Sequence, residues 1–138
     1  MKTLGVTILP EYIQTEGVDA VLDRLGSAGV TAVTTSPYVM EPADEASGSR
    51  EPPADAGAGK VRLLDRPLWG KRELFVRTAP SFEPNRALYQ GLRYQPSEPT
   101  ELTRREGDTI ARFITAARER GMEVYFQVMA AIPPGYRV

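Results

Sequence analysis

VDAVLDRLGSAGVTAVTTSP (residues 18–37) and FITAARERGMEVYFQVMAAIPP (113–134) carry the same phrase twice. In the first, Val18, Val21, Leu22 and Leu25 repeat at i, i+3, i+4 and i+7, the spacing of one buried helix stripe. Asp19, Asp23 and Arg24 fall on the other side. Gly29 then takes the position that commonly ends a helix. An apolar-rich strand follows, and proline closes it. This predicts a helix over about Val18–Ala28 and a strand over Val30–Thr35. In the second phrase and the turn just before it, Ile110, Phe113, Ile114 and Ala117 form the stripe, with Gly121 the cap. Arg118 and Arg120 suit the negative end of the helix dipole. The helix is expected over about Thr100–Arg120 and the strand over Val124–Ala131. Gly107 costs about 1 kcal/mol against alanine inside a helix, so the regular helix is expected to start near Asp108.

Working outward, LGVTILPEY (4–12) alternates Leu4, Val6 and Ile8 with Gly5 and Thr7. It reads as a strand over Leu4–Leu9 that Pro10 ends. Thr15 is the expected N-cap of the first helix, with Glu16 on its positive end. Strand–helix alternation gives a parallel βαβαβ segment, hence an α/β fold. Between Ser36 and Pro99 the character changes. Residues 41–60 are rich in Pro, Ala, Gly, Asp and Glu, the composition of a flexible loop. Residues 61–99 carry apolar and aromatic residues interleaved with arginines, and read as an ordered excursion with Glu73–Thr78 its best strand. The whole is expected to be one α/β domain over 1–138. A complete (β/α)8 barrel takes roughly 250 residues. Three strands in 138 residues therefore predict either the opening part of such a barrel or a small domain that needs a partner.

The charge balance is 17 basic against 18 acidic residues, net −1. That is not the footprint of a nucleic-acid groove or an anionic membrane surface. Cysteine and histidine are both absent. Thiolate nucleophiles, zinc ribbons, imidazole acid–base chemistry and His-metal sites are thereby excluded for this sequence. Neither GxxxxGK[ST] nor GxGxxG occurs, and no cofactor or metal is expected. No apolar run approaches the roughly 20 residues of a membrane span. The N-terminus lacks a small-residue cleavage site, so the cytoplasm is the expected compartment. Asn85 is the only asparagine, while Arg, Pro, Ala and Glu abound, which fits a heat-adapted source or a GC-rich genome.

Strand order decides what the helices leave open. In the order 1-2-3 both helices lie on one sheet face, and the other face, expected to carry Val6, Ile8, Val33 and Phe126, is uncovered unless more strands close a barrel over it. Self-association or the missing barrel half would then cover it. In the order 2-1-3 the helices flank both faces of a small doubly wound sheet.

In either architecture ligands sit at the carboxyl ends of the strands. Glu11 and Tyr12 follow strand one. Ser36, Tyr38 and Glu41 follow strand two. Gln127, Met129, Pro133 and Tyr136 lie in or after strand three. Glu11 suits a sugar hydroxyl or a cation; its plainer reading is a loop glutamate near a helix start. Gln127 interrupts an apolar strand and must find a partner if buried. Glu11 with Glu41 could form an acid and base at one rim. Trp69, Tyr89 and Tyr94 with nearby arginines could form a stacking surface for a carbohydrate or other polyol, or simply a satellite core. Asp44, Glu45, Glu51 and Asp55 read as solvated.

LGVTILPEY, GVTAVTTSPYVMEP and AARERGMEVYFQVMAAIPPGYR together resemble the first strands of bacterial glycoside-hydrolase-like (β/α)8 barrels. The resemblance covers most of the ordered chain through generic motifs. It implies a sugar-facing cleft rim in this segment, with the acid/base and nucleophile carboxylates on later strands. A stand-alone α/β binding module completed by oligomerisation is the competing expectation.

Overall fold

Val6, Val33 and Val124 stand in register across three parallel strands, and the two repeated phrases meet on that row. The computed structural model describes residues 2–53 and 62–128. In chain order the elements are β1 (Gly5–Thr7), α1 (Pro10–Glu16), α2 (Val18–Ser27), β2 (Ala32–Thr35), β3 (Tyr38–Ala43), β4 (Ser49–Glu51), β5 (Leu74–Pro80), α3 (Glu101–Glu106), α4 (Asp108–Glu119) and β6 (Glu123–Phe126). A single 3-10 turn spans Arg86–Tyr89. One sheet is parallel in the order β1-β2-β6, and a second is antiparallel in the order β3-β5-β4. The fold is thus mixed α/β. The sheet adopts the 1-2-3 arrangement and not the doubly wound 2-1-3 alternative, and the described residues form no closed barrel.

Both long helices cover the same sheet face. Val21 and Leu22 of α2 and Ile110, Phe113 and Ala117 of α4 form the main core with Val33, and Val6, Ile8 and Val124 pack against it. The expectation that Val6, Ile8 and Val33 would line the open face is therefore wrong in phase. Side chains alternate along a strand, so the second face carries Gly5, Thr7, Ala32, Thr34, Glu123 and Tyr125. That face is small and polar, with Tyr125 53% exposed and its hydroxyl donating to the Glu123 carboxylate. Phe126 shares the phase of Val124 but sits at the strand end, 44% exposed. Arg120 at the end of α4 bonds Asp19 and Asp23 of α2, tying the two helices together.

Three local features depart from the expectation. First, Pro10 starts a helix as well as ending a strand. Its fixed φ suits the first helical position, and α1 follows with Glu11 in its first turn. Thr15 consequently lies inside α1, donating to the Glu11 carbonyl, and Gly17 separates α1 from α2 at φ 89°. Second, part of the stretch expected to be flexible over 41–60 is regular structure, because β3 runs to Ala43 and β4 spans Ser49–Glu51. Both pair with β5; residues 54–60 lie outside the described residues. Third, Gly107 divides the second helical region into α3, capped by the Thr100 hydroxyl, and α4. The expected strand Glu73–Thr78 is β5. The expected third strand shortens to Glu123–Phe126, with residues 129–131 outside those described.

Gly107 is there for space. A methyl group on it would lie 2.5 Å from the Thr103 carbonyl oxygen and 2.7 Å from that of Ser81. At Gly26 in α2 a methyl would meet only the Met122 methyl at 3.6 Å. Gly107→Ala should therefore cost about 1–3 kcal/mol through overpacking. Gly26→Ala should gain about 0.5–1 kcal/mol from reduced chain entropy. Urea unfolding of both variants checks this, and two shifts of the same sign would contradict the packing argument.

Candidate functional site

Glu11 is 1% exposed, which is unusual for a carboxylate. The early start of α1 turns it inward at the carboxyl end of β1. The Tyr38 hydroxyl, from the first residue of β3, donates to Glu11 Oε2 at 3.3 Å. Burial pushes the Glu11 carboxyl above its ordinary range; its own backbone amide and Tyr38 pull against that, and the Glu51 carboxylate adds to it. Glu51, on β4, is itself raised by burial. Burial likewise raises the Tyr38 phenol, with Glu11 and Glu51 contributing.

No described arginine or lysine forms an ion pair with either carboxyl. Other glutamates differ. Glu16 binds Arg24 and Arg66, Glu41 binds Arg77 and Arg105, and Glu73 binds Arg50. Glu51 is thus the carboxylate that influences Glu11, in place of the expected Glu41. Glu41 is held by its two arginines beside a separate cavity of about 420 Å³. The reading of Glu51 as solvated holds only in part, because β4 pairs it with Leu74 of β5 and leaves it half-buried.

Tyr38 also lines a cleft of about 530 Å³ past the ends of β2 and β6. Pro37, Pro80, Phe82 and Val128 supply apolar walls, while Ser36, Thr78 and Gln127 supply polar groups. Gln127 reaches it because its amide extends the parallel ladder by donating to Thr35 O at 2.8 Å. Its side chain is exposed at this rim, so the burial argument for a polar residue inside a strand does not apply. Thr35 ends β2 with a buried hydroxyl that has no partner among the described residues. Phe82, 53% exposed, was not legible as a site residue; only its place just past β5 could have signalled it.

Ser36, Tyr38 and Gln127 therefore come together, with Glu11 behind Tyr38. The remaining expected residues go elsewhere. The Tyr12 ring lies 5.0 Å under the Arg66 guanidinium and packs on a satellite cluster of Leu64, Leu68, Leu74 and Val76. Trp69 joins that cluster and lines a cavity of about 240 Å³ with Gln14 and Arg105. It sits at φ 46° in a tight turn where Leu68 and Lys71 exchange both backbone bonds. Tyr89 closes the 3-10 turn, half-buried, and Arg93 lies over the Tyr94 ring. Tyr136, Met129 and Pro133 lie outside the described residues.

Among the described residues no three acidic side chains gather to hold a metal, and no helix is long and apolar enough to cross a membrane. No family model, curated protein or solved structure matches the chain.

Both Glu11 and Glu51 titrate above the ordinary glutamate value of 4.5 in the folded chain. Their contribution to stability is full below that value and is lost as pH rises through the folded values. Glu11→Gln keeps an acceptor for Tyr38 and removes the charge. Its melting temperature relative to the parent should rise steadily between pH 4 and pH 7.5, and a constant difference across that range would refute the assignment.

Proposed function

We propose that this chain is the N-terminal portion of a glycoside-hydrolase-like barrel and binds a carbohydrate or other polyol in the cleft past β2 and β6. The observation that carries this reading is the cleft itself. It lies at the carboxyl ends of parallel strands, where barrels hold their ligands, and it joins flat apolar walls to a few polar groups. Tyr38 and Phe82 offer faces for the C–H surface of a sugar ring, and Gln127, Ser36 and Thr78 offer hydrogen bonds to its hydroxyls. The sheet supports the same reading, because its helices cover one face and, among the described residues, β1 and β6 are left as open parallel edges that further strands could extend. On this reading the main catalytic carboxylates come from later strands outside this chain.

The free edges also favour a second reading, a stand-alone α/β binding module that completes its sheet by oligomerising. Light scattering separates the two: the barrel reading expects the 15.2 kDa monomer or disordered aggregation, and the module reading expects a defined oligomer.

Binding is tested by saturation-transfer NMR of the whole chain with glucose, mannose, xylose, N-acetylglucosamine and glycerol. Phe82→Ala and Gln127→Ala should each weaken binding about fivefold, the equivalent of about 1 kcal/mol. No transfer to any of these probes, or transfer indifferent to both substitutions, would overturn the proposal.

A further inference from the structure

We propose that Glu11 is a positioning residue that sets, through Tyr38, whether the cleft presents a hydrogen-bond donor or an acceptor to its ligand. The inference rests on the polyol-binding reading and deepens it.

Glu11 is buried, and among the described residues its side chain bonds one other side chain, the Tyr38 hydroxyl. A phenol has one proton to give and lone pairs to receive with. An ionised Glu11 can only accept, so it takes the Tyr38 proton and leaves the phenol oxygen as an acceptor. A protonated Glu11 can donate to Tyr38, which frees the phenol proton to turn toward a ligand. Tyr38 is also a wall of the cleft, so the state of a group that the ligand does not touch is passed on to the ligand.

The backbone fixes the pair. The Gln14 side chain accepts from Met40 N at 2.8 Å and donates to Met40 O at 2.8 Å. α1 and β3 are thereby held together one turn from Glu11 and two residues from Tyr38. The groups facing Glu11 are Tyr38 from β3, Glu51 from β4 and Tyr12 from α1 itself. Arg66, the cation beside Tyr12, stacks on that ring and binds Glu16. Burial raises the Glu11 carboxyl above its ordinary value, the Glu51 carboxylate adds to that, and no described arginine or lysine pairs with it to offset the shift.

The experiment uses the full chain with ¹³C-labelled glutamate and tyrosine. The Glu11 carboxyl carbon should titrate above the ordinary glutamate value of 4.5, and the Tyr38 ring carbon bearing the hydroxyl should follow the same midpoint. In Glu11→Gln the Tyr38 signal should stay level over that range. In Tyr38→Phe the Glu11 midpoint should rise further, because the carboxylate loses a donor. With whichever of the five probes above binds most strongly, affinity should change at least threefold between pH 5 and pH 8 in the parent and stay level in Glu11→Gln. A Tyr38 signal that ignores the Glu11 titration, or a probe affinity with the same pH profile in parent and Glu11→Gln, overturns the inference. Coupled titration in a chain that binds none of the probes overturns the carbohydrate reading instead.

Discussion

Gln14 does for the outer edge of β3 what a neighbouring strand would do. Its amide carries one donor and one acceptor in the geometry of a peptide group, and it spends both on Met40. β3 pairs with β5 on its other side, so without Gln14 the backbone groups of Met40 would face α1 unpaired, at a cost of about 1–3 kcal/mol for each buried group. The bond joins the part of the chain that packs under the parallel sheet to the part that forms the antiparallel one. Everything proposed for the cleft depends on that junction, because Glu11 comes from the first part and Tyr38 from the second.

The distribution of arginine separates scaffold from site. Arg24, Arg66, Arg77, Arg105 and Arg120 each close an ion pair between elements or across a strand pair. These pairs are largely exposed and individually contribute little; what they do is fix geometry around the two cores. Glu11 and Glu51 stand apart because burial disfavours their charged forms and no described arginine offsets it. A protein selected only for stability would place an arginine or an apolar residue there. Two carboxyls with no described cation beside them, one bonded to a tyrosine that lines a cleft, are a candidate for a functional site.

The parallel sheet was legible because its signals are local. A 3.6-residue stripe, a terminal glycine and a short apolar run each occupy one stretch of chain, and they occur twice. The phase of the strands was not legible, since Val6, Thr7, Ile8 and Thr34 alternate equally well toward either face until the helices choose one. The β3–β5 ladder was hidden for a different reason. Glu41 pairs with Arg77 and Pro42 with Val76, partners separated by a long stretch of sequence, and the Pro- and Gly-rich composition between them has the look of a flexible loop. Pro10 carried two meanings, strand end and helix start, and reading only the first concealed α1. Of the site, Tyr38, Ser36 and Gln127 were accessible from strand ends alone. Glu51 and Phe82 were not, because the second sheet brings them there.

The polarity of the uncovered face changes the reason for expecting more sheet. An apolar face would demand cover on hydrophobic grounds. Thr7, Thr34, Glu123 and Tyr125 demand none and can meet water. Among the described residues it is the backbone that is left open: β1 and β6 are the outer strands of a three-stranded parallel sheet, and each presents a row of ladder groups on an edge that no described strand covers. Parallel strands with helices on one side only are otherwise found where the sheet curves closed. A small polar interior near the carboxyl ends is also compatible with a ligand entering there, on the side where Tyr38 and Gln127 already stand. The barrel reading therefore rests on hydrogen-bonding edges and the position of the cleft, and no longer on a hydrophobic surface in need of burial.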